Sequence, residues 1–129
     1  MTDHSNPAIR VLMMPRDTNA HGTIFGGVIL SHIDQAGAIA AHECGCQKLV
    51  TVALDKVEFH EPVYVGDLVS FYAECTRVGN TSITCRVTVK AAGGDRGEVV
   101  VTEADVTYVN IDENARPLPI KKSEAHSAS

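Results

Sequence analysis

At 129 residues, 44% hydrophobic and 21% charged, the chain has the size and composition of one globular domain able to bury its own core. A net charge of −5 argues against nucleic acid or an anionic membrane surface as partner. No apolar run reaches the ~20 residues that span a bilayer, and MTDHSNPAIR at the start lacks the basic-then-apolar pattern of a secretory leader, so the cytoplasm is the expected compartment.

In chain order, residues 1–7 are polar and read as a frayed tail. The single domain is expected over 8–111, followed by a flexible polar tail, 112–129, that carries two prolines. AIRVLMM, Ala8 to Met14, predicts a first strand stopped by Pro15. RDTNAHGT is rich in turn formers and reads as a loop. From Gly26 to about Cys44 the pattern is helical and mostly small or aliphatic, with His32, Gln35 and His42 along one polar stripe. Such a helix is mostly buried, and its small residues imply a close-packed neighbour.

After Gly45 the period changes. LVTVALDKVEFH, residues 49–60, predicts a long strand with a bulge near Asp55 and Lys56. Three alternating strands follow, separated by GNTS and AAGGDRGE. Their inward faces are predicted as Val69, Phe71, Ala73 and Cys75, then Ile83, Cys85, Val87 and Val89, then Val100, Ala104, Val106 and Tyr108. Cys75 and Cys85 are expected to face each other across a hairpin near Asn80, as reduced core thiols. Cys44-x-Cys46 has no matching second pair, and His21, His32, His42 and His60 show no ligand spacing, so no metal site is expected. The order β-α-β-β-β-β predicts an α+β domain in which an antiparallel sheet of about five strands wraps one long central helix. Its open edges call for a second copy, which would also help bury Asp34.

Asp34 is the one acid near the middle of that helix. The helix opens at Gly26–Gly27, where free N–H groups and the dipole favour developing negative charge. Glycine lets a ligand approach the backbone, so a thioester oxygen would find an oxyanion site there. Asp34 lies two turns on, roughly 10 Å along the axis. A donor, a carbonyl, a water and a carboxylate in sequence need about that span at ~3 Å per contact. Small Gly37 and Ala38 on the same face leave room beside it. On residues alone, other readings stay open. Asp34 suits a buried, hydrogen-bonded structural acid, Asn19 suits a turn, and the glycines suit close packing. No serine or cysteine sits in a nucleophile context.

DTNAHGTIFGGVILSHIDQAGAIAA resembles the acyl-CoA thioesterase family of the hotdog fold, in particular the YciA-like bacterial enzymes and the cytosolic acyl-CoA hydrolases. That family carries a polar loop with an asparagine, a Gly-Gly pair opening the helix, and an acid seven residues after the second glycine. Asn19, Gly26–Gly27 and Asp34 match it at that spacing. VTVALDKVEFHEPVYVGD and GNTSI also resemble family segments, so the likeness runs from about Met13 to Val109. It implies hydrolysis of acyl-CoA to free fatty acid and CoA. Asp34 would be general base or nucleophile, Asn19 would position water or thioester, and Gly27, with Gly26, would supply the oxyanion N–H. His21 would line the mouth of the site, and Arg77, Asn80, Thr81 and Ser82 at a hairpin would meet the CoA phosphates. The resemblance implies no metal or redox cofactor, and a homodimer at least, as a trimer of dimers in a hexamer. An enoyl-CoA hydratase of this fold is a competitor. It uses an Asp and a His separated by four residues ahead of the helix, whereas Asp17 and His21 are separated by three. A non-catalytic acyl-CoA-binding module is the other competitor, but the chain has no room for the DNA-binding segment such a sensor would carry.

Overall fold

The computed structural model describes residues 6–120; the expected ends at 1–5 and 121–129 lie outside the described residues. The chain runs β1 (Ile9–Leu12), a 3-10 turn at Pro15–Asp17, α1 (Gly26–Glu43), β2 (Leu49–Asp55), β3 (Leu68–Val78), β4 (Ser82–Ala92) and β5 (Glu98–Asn110). All strand pairs are antiparallel, in the order β1-β3-β4-β5-β2. The helix lies across β3, β4 and β5. This is the predicted α+β arrangement.

The helix buries Ile29, Ile33, Ala36, Gly37, Ala40 and Ala41, a stripe at three- and four-residue spacing. It stops at Gly45, whose φ of +111° continues the chain in a left-handed turn. The N–H groups of Gly45 and Cys46 then satisfy the carbonyls of His42 and Ala41, both at 3.1 Å. No described helix is long and apolar enough to cross a membrane.

Alternation placed most of the sheet interior correctly. Phe71, Val87, Val89, Val106 and Tyr108 are fully buried. Val100 is the exception, at 45% exposure. The β4–β5 register slips so that Val89 faces Thr102 while Lys90 faces Val100. Val101 is the extra residue of that bulge and turns inward instead. Ser70, Tyr72 and Thr88, which alternate with the inward positions, are buried as well. Arg10 Nε donates to Ser70 Oγ at 3.1 Å, and Lys90 Nζ lies 5.3 Å from the Tyr72 ring centre.

Three further expectations need correction. The bulge in β2 falls at Val52, between Thr51 and Ala53, and the strand ends at Asp55 rather than His60. Lys56, at φ +61°, breaks the extended run there. Cys75 and Cys85 do face each other, but Cys75 is joined to Cys44 in a disulfide. Cys75 points inward beneath the helix C-terminus, which is where Cys44 caps the helix. Cys85 keeps its thiol, 3.6 Å from the Cys75 sulfur, and burial pushes its pKa up to about 12. Finally, residues 112–120 fold back instead of trailing away. Asp112 Oδ1 accepts from the N–H groups of Asn114 and Arg116, and Leu118 N–H then donates to the Asn110 carbonyl at 2.8 Å. The buried Asn110 amide demands partners, and this return supplies them.

Candidate active site

The loop ahead of α1 is held by its own polar groups. Asn19 Oδ1 accepts from the N–H of His21 at 2.7 Å and of Thr23 at 3.3 Å, and Asn19 Nδ2 donates to Thr23 Oγ1 at 2.9 Å. The turn role is therefore real, and one amide hydrogen of Asn19 has no partner among the described residues. Ile24 N–H donates to the Val63 carbonyl and Phe25 N–H to that of Asp17, both at 2.8 Å, which docks the loop on the body of the domain. His21 is exposed on this loop.

Phe25 is the residue before the helix and offers no side-chain cap. Val28 N–H donates to the Phe25 carbonyl at 3.0 Å, which leaves the N–H groups of Gly26 and Gly27 as the first-turn donors for an incoming oxygen. A side chain at Gly27 would run into the Phe25 ring 2.6 Å away, while one at Gly26 would meet the Phe59 ring at 3.8 Å. Phe25 and Phe59 are 58% and 47% exposed, so two apolar rings flank the open helix start.

Asp34 is half-buried and held from two sides. Thr51 Oγ1 donates to its Oδ1 at 2.7 Å, and Tyr108 Oη donates to its main-chain carbonyl at 2.5 Å. Thr51 and Tyr108 are paired across β2 and β5, so one row of the sheet reaches the same helical residue twice. The Tyr108 phenol is pushed well above its ordinary pKa, first by burial and then by the nearby Asp34 carboxylate, and so keeps its proton. The space expected beside Gly37 is filled: a Cβ there would collide with the Tyr108 hydroxyl.

The fold thus puts Gly26, Gly27 and Asp34 on one helix and brings Thr51 to the carboxylate. No hydrogen bond joins Asn19 to Asp34 among the described residues. Arg77 and Asn80 are exposed at the β3–β4 hairpin, with Thr81 and Ser82 half-buried. Ile83 is the β4 partner of Tyr108, which places that hairpin just past the row gripping Asp34. Its backbone is engaged elsewhere: Thr81 O accepts from Asn110 N–H, and Asn80 O from Ile120 N–H, both at 2.8 Å. Sequence reasoning missed Thr51 and took Tyr108 as core alone. A hydroxyl among the valines of VTVALD, and a tyrosine whose buried hydroxyl must find an acceptor, were the available signals. Among the described residues, no group of three or more His, Cys, Asp or Glu could hold a metal ion.

Residues 21–98 match the model of the thioesterase superfamily. The chain is 40% identical over 130 residues to the acyl-CoA thioester hydrolase YciA of Escherichia coli, covering 93% of this chain and 98% of that one. A hexameric hotdog fold thioesterase of Campylobacter jejuni superposes with a TM-score of 0.87 at 45% identity, covering 98% and 96% of the two chains. HI0827, a hexameric broad-specificity acyl-coenzyme A thioesterase, superposes with a TM-score of 0.88 at 36% identity, covering 100% and 93%.

Proposed function

The chain belongs to the thioesterase superfamily, and from that premise we propose that it hydrolyses acyl-CoA to the free acid and CoA, with Asp34 as general base. The observation that carries the catalytic assignment is the Asp34 carboxylate, pinned by Thr51 at 2.7 Å and two turns from an uncapped helix start. Water attacks the thioester carbonyl carbon as Asp34 takes its proton. The tetrahedral oxyanion forms against the Gly27 N–H, with Gly26 beside it. The C–S bond then breaks, and the leaving thiolate recovers the proton as CoA–SH. Hydrolysis by this route needs a base and an oxyanion donor, so no metal or redox cofactor is written into it. The exposed rings of Phe25 and Phe59 offer an apolar wall to the acyl or pantetheine chain. Arg77, Asn80, Thr81, Ser82 and His21 are assigned to CoA binding at the rim. We place the enzyme in the cytoplasm.

Its assembly follows the hexameric relatives: a homodimer, three of which form the hexamer. In a dimer, Asn19 of one chain serves Asp34 of the partner. The free amide hydrogen of Asn19 and the lack of a bond to Asp34 within one chain support this reading.

Incubation with acyl-CoAs of increasing chain length and a thiol reagent should release one thiol per carboxylate formed. No thiol from any acyl-CoA would remove the reading. The shared site has its own test. Asn19→Ala and Asp34→Ala homodimers should each be nearly inactive. Dissociated, mixed equally and reassembled, about half the dimers are mixed and about a quarter of all sites are intact. Recovery to roughly that level is expected. No recovery despite confirmed exchange would place both residues in one chain's site or remove Asn19 from the chemistry.

A further inference from the structure

Tyr108 has a place in the fold that packing alone does not require. It is a fully buried residue near the C-terminal end of β5, where phenylalanine would fill the same volume. Its hydroxyl instead crosses to the helix and donates to the Asp34 carbonyl at 2.5 Å. A main-chain carbonyl inside a helix already accepts from the N–H four residues on, and its second lone pair is free for such a donor. The approach is possible only because position 37 has no side chain: a Cβ at Gly37 would strike the hydroxyl and would lie 3.2 Å from two ring carbons. Gly37 is a poor residue for a helix interior, where alanine is much preferred. The contact thus uses a glycine that the helix itself disfavours.

The same sheet row carries Thr51, the register partner of Tyr108, on the neighbouring strand. Directly opposed residues share a face, so both hydroxyls aim at the helix. One takes the carboxylate of Asp34 and the other its backbone. We propose that Tyr108 is a positioning residue for Asp34: through the gap at Gly37 its hydroxyl fixes the Asp34 backbone against β5, so that the carboxylate meets Thr51 and the attacking water in one orientation. The assignment rests on the hydrolase reading above. It makes the pair Tyr108–Gly37 a unit, in which the glycine serves the hydroxyl.

The test uses Tyr108→Phe, Gly37→Ala and the double variant in the intact assembly. Tyr108→Phe keeps the buried ring and should stay folded. Its kcat should fall about tenfold to a hundredfold, the scale of a reacting group displaced by a fraction of an ångström to one ångström, with KM within about twofold. A fall in kcat without a change in KM separates positioning from general loosening. Gly37→Ala should lower both kcat and the thermal midpoint, because the methyl displaces the hydroxyl. In the Tyr108→Phe background the same change should cost far less in either measure, since the atom it strikes is gone. Wild-type kcat in Tyr108→Phe, alongside a hydrolytically active parent, would overturn the positioning role while leaving the hydrolase reading intact. Equal thermal cost of Gly37→Ala in both backgrounds would overturn the contact itself, whatever the protein hydrolyses. An inactive parent, by contrast, would strike at the hydrolase reading, with the thermal comparison still deciding the contact.

Discussion

Asp34→Asn is expected to lose between about 10²- and 10⁴-fold in kcat while CoA affinity stays within about twofold. The exchange keeps the volume and keeps an oxygen that can accept from Thr51 Oγ1, now 2.7 Å from Oδ1. The Tyr108 contact is to the main chain and is untouched by the change. What disappears is the group that takes a proton from water. Turnover followed by thiol release, with calorimetric titration of CoA, reads the two quantities separately. Near-normal turnover would make Asp34 a structural acid, held by its two hydroxyl partners for the sake of the fold.

Gly27→Val is expected to lose about 10²- to 10³-fold in kcat, the range seen when one oxyanion donor is removed. Folding should survive. Valine is a better helix residue than glycine, and the nearest obstacle to its Cβ is the Phe25 ring, at 2.6 Å. That ring is 58% exposed and can swing into solvent, so the helix need not move. The branched side chain would then stand over the first-turn N–H groups and keep the thioester oxygen out. Circular dichroism alongside kinetics distinguishes this from unfolding. A folded variant with parental turnover would move the oxyanion site away from the helix start.

The architecture was legible because its signals are local. Strict alternation marked Leu68–Val78 and residues 83–90 of the strand Ser82–Ala92, and a mostly small and aliphatic composition marked Gly26–Glu43. Bulges were not legible. Nothing in VVVTEADV says that Val101 rather than Val100 turns inward, because the slip is set by pairing with β4 and not by composition. The same holds for Val52 in β2. The candidate site was legible on the helix, where a glycine pair and an acid in apolar surroundings advertise themselves. It was illegible on the sheet. Thr51 reaches Asp34 from 17 residues away and Tyr108 from 74, and such contacts exist only once the strands have taken their register. The return of residues 112–120 was missed for a related reason: a buried asparagine at 110 recruits a polar tail that has no apolar pattern of its own.

Among the described residues β2 lies at the rim of the sheet, pairs only with β5, and shows Val50, Val52 and Leu54 at 43%, 55% and 36% exposure. A valine-rich rim strand with unpaired backbone groups is a template for uncontrolled strand addition. Pairing of two subunits along β2, in the assembly proposed above, would carry a second duty as protection against precipitation. Substitutions that weaken the association should first appear as loss of recoverable protein, before any soluble, inactive monomer can be collected. A charged residue at Val52, where the bulge already interrupts the ladder, is the change best suited to keep such a monomer in solution.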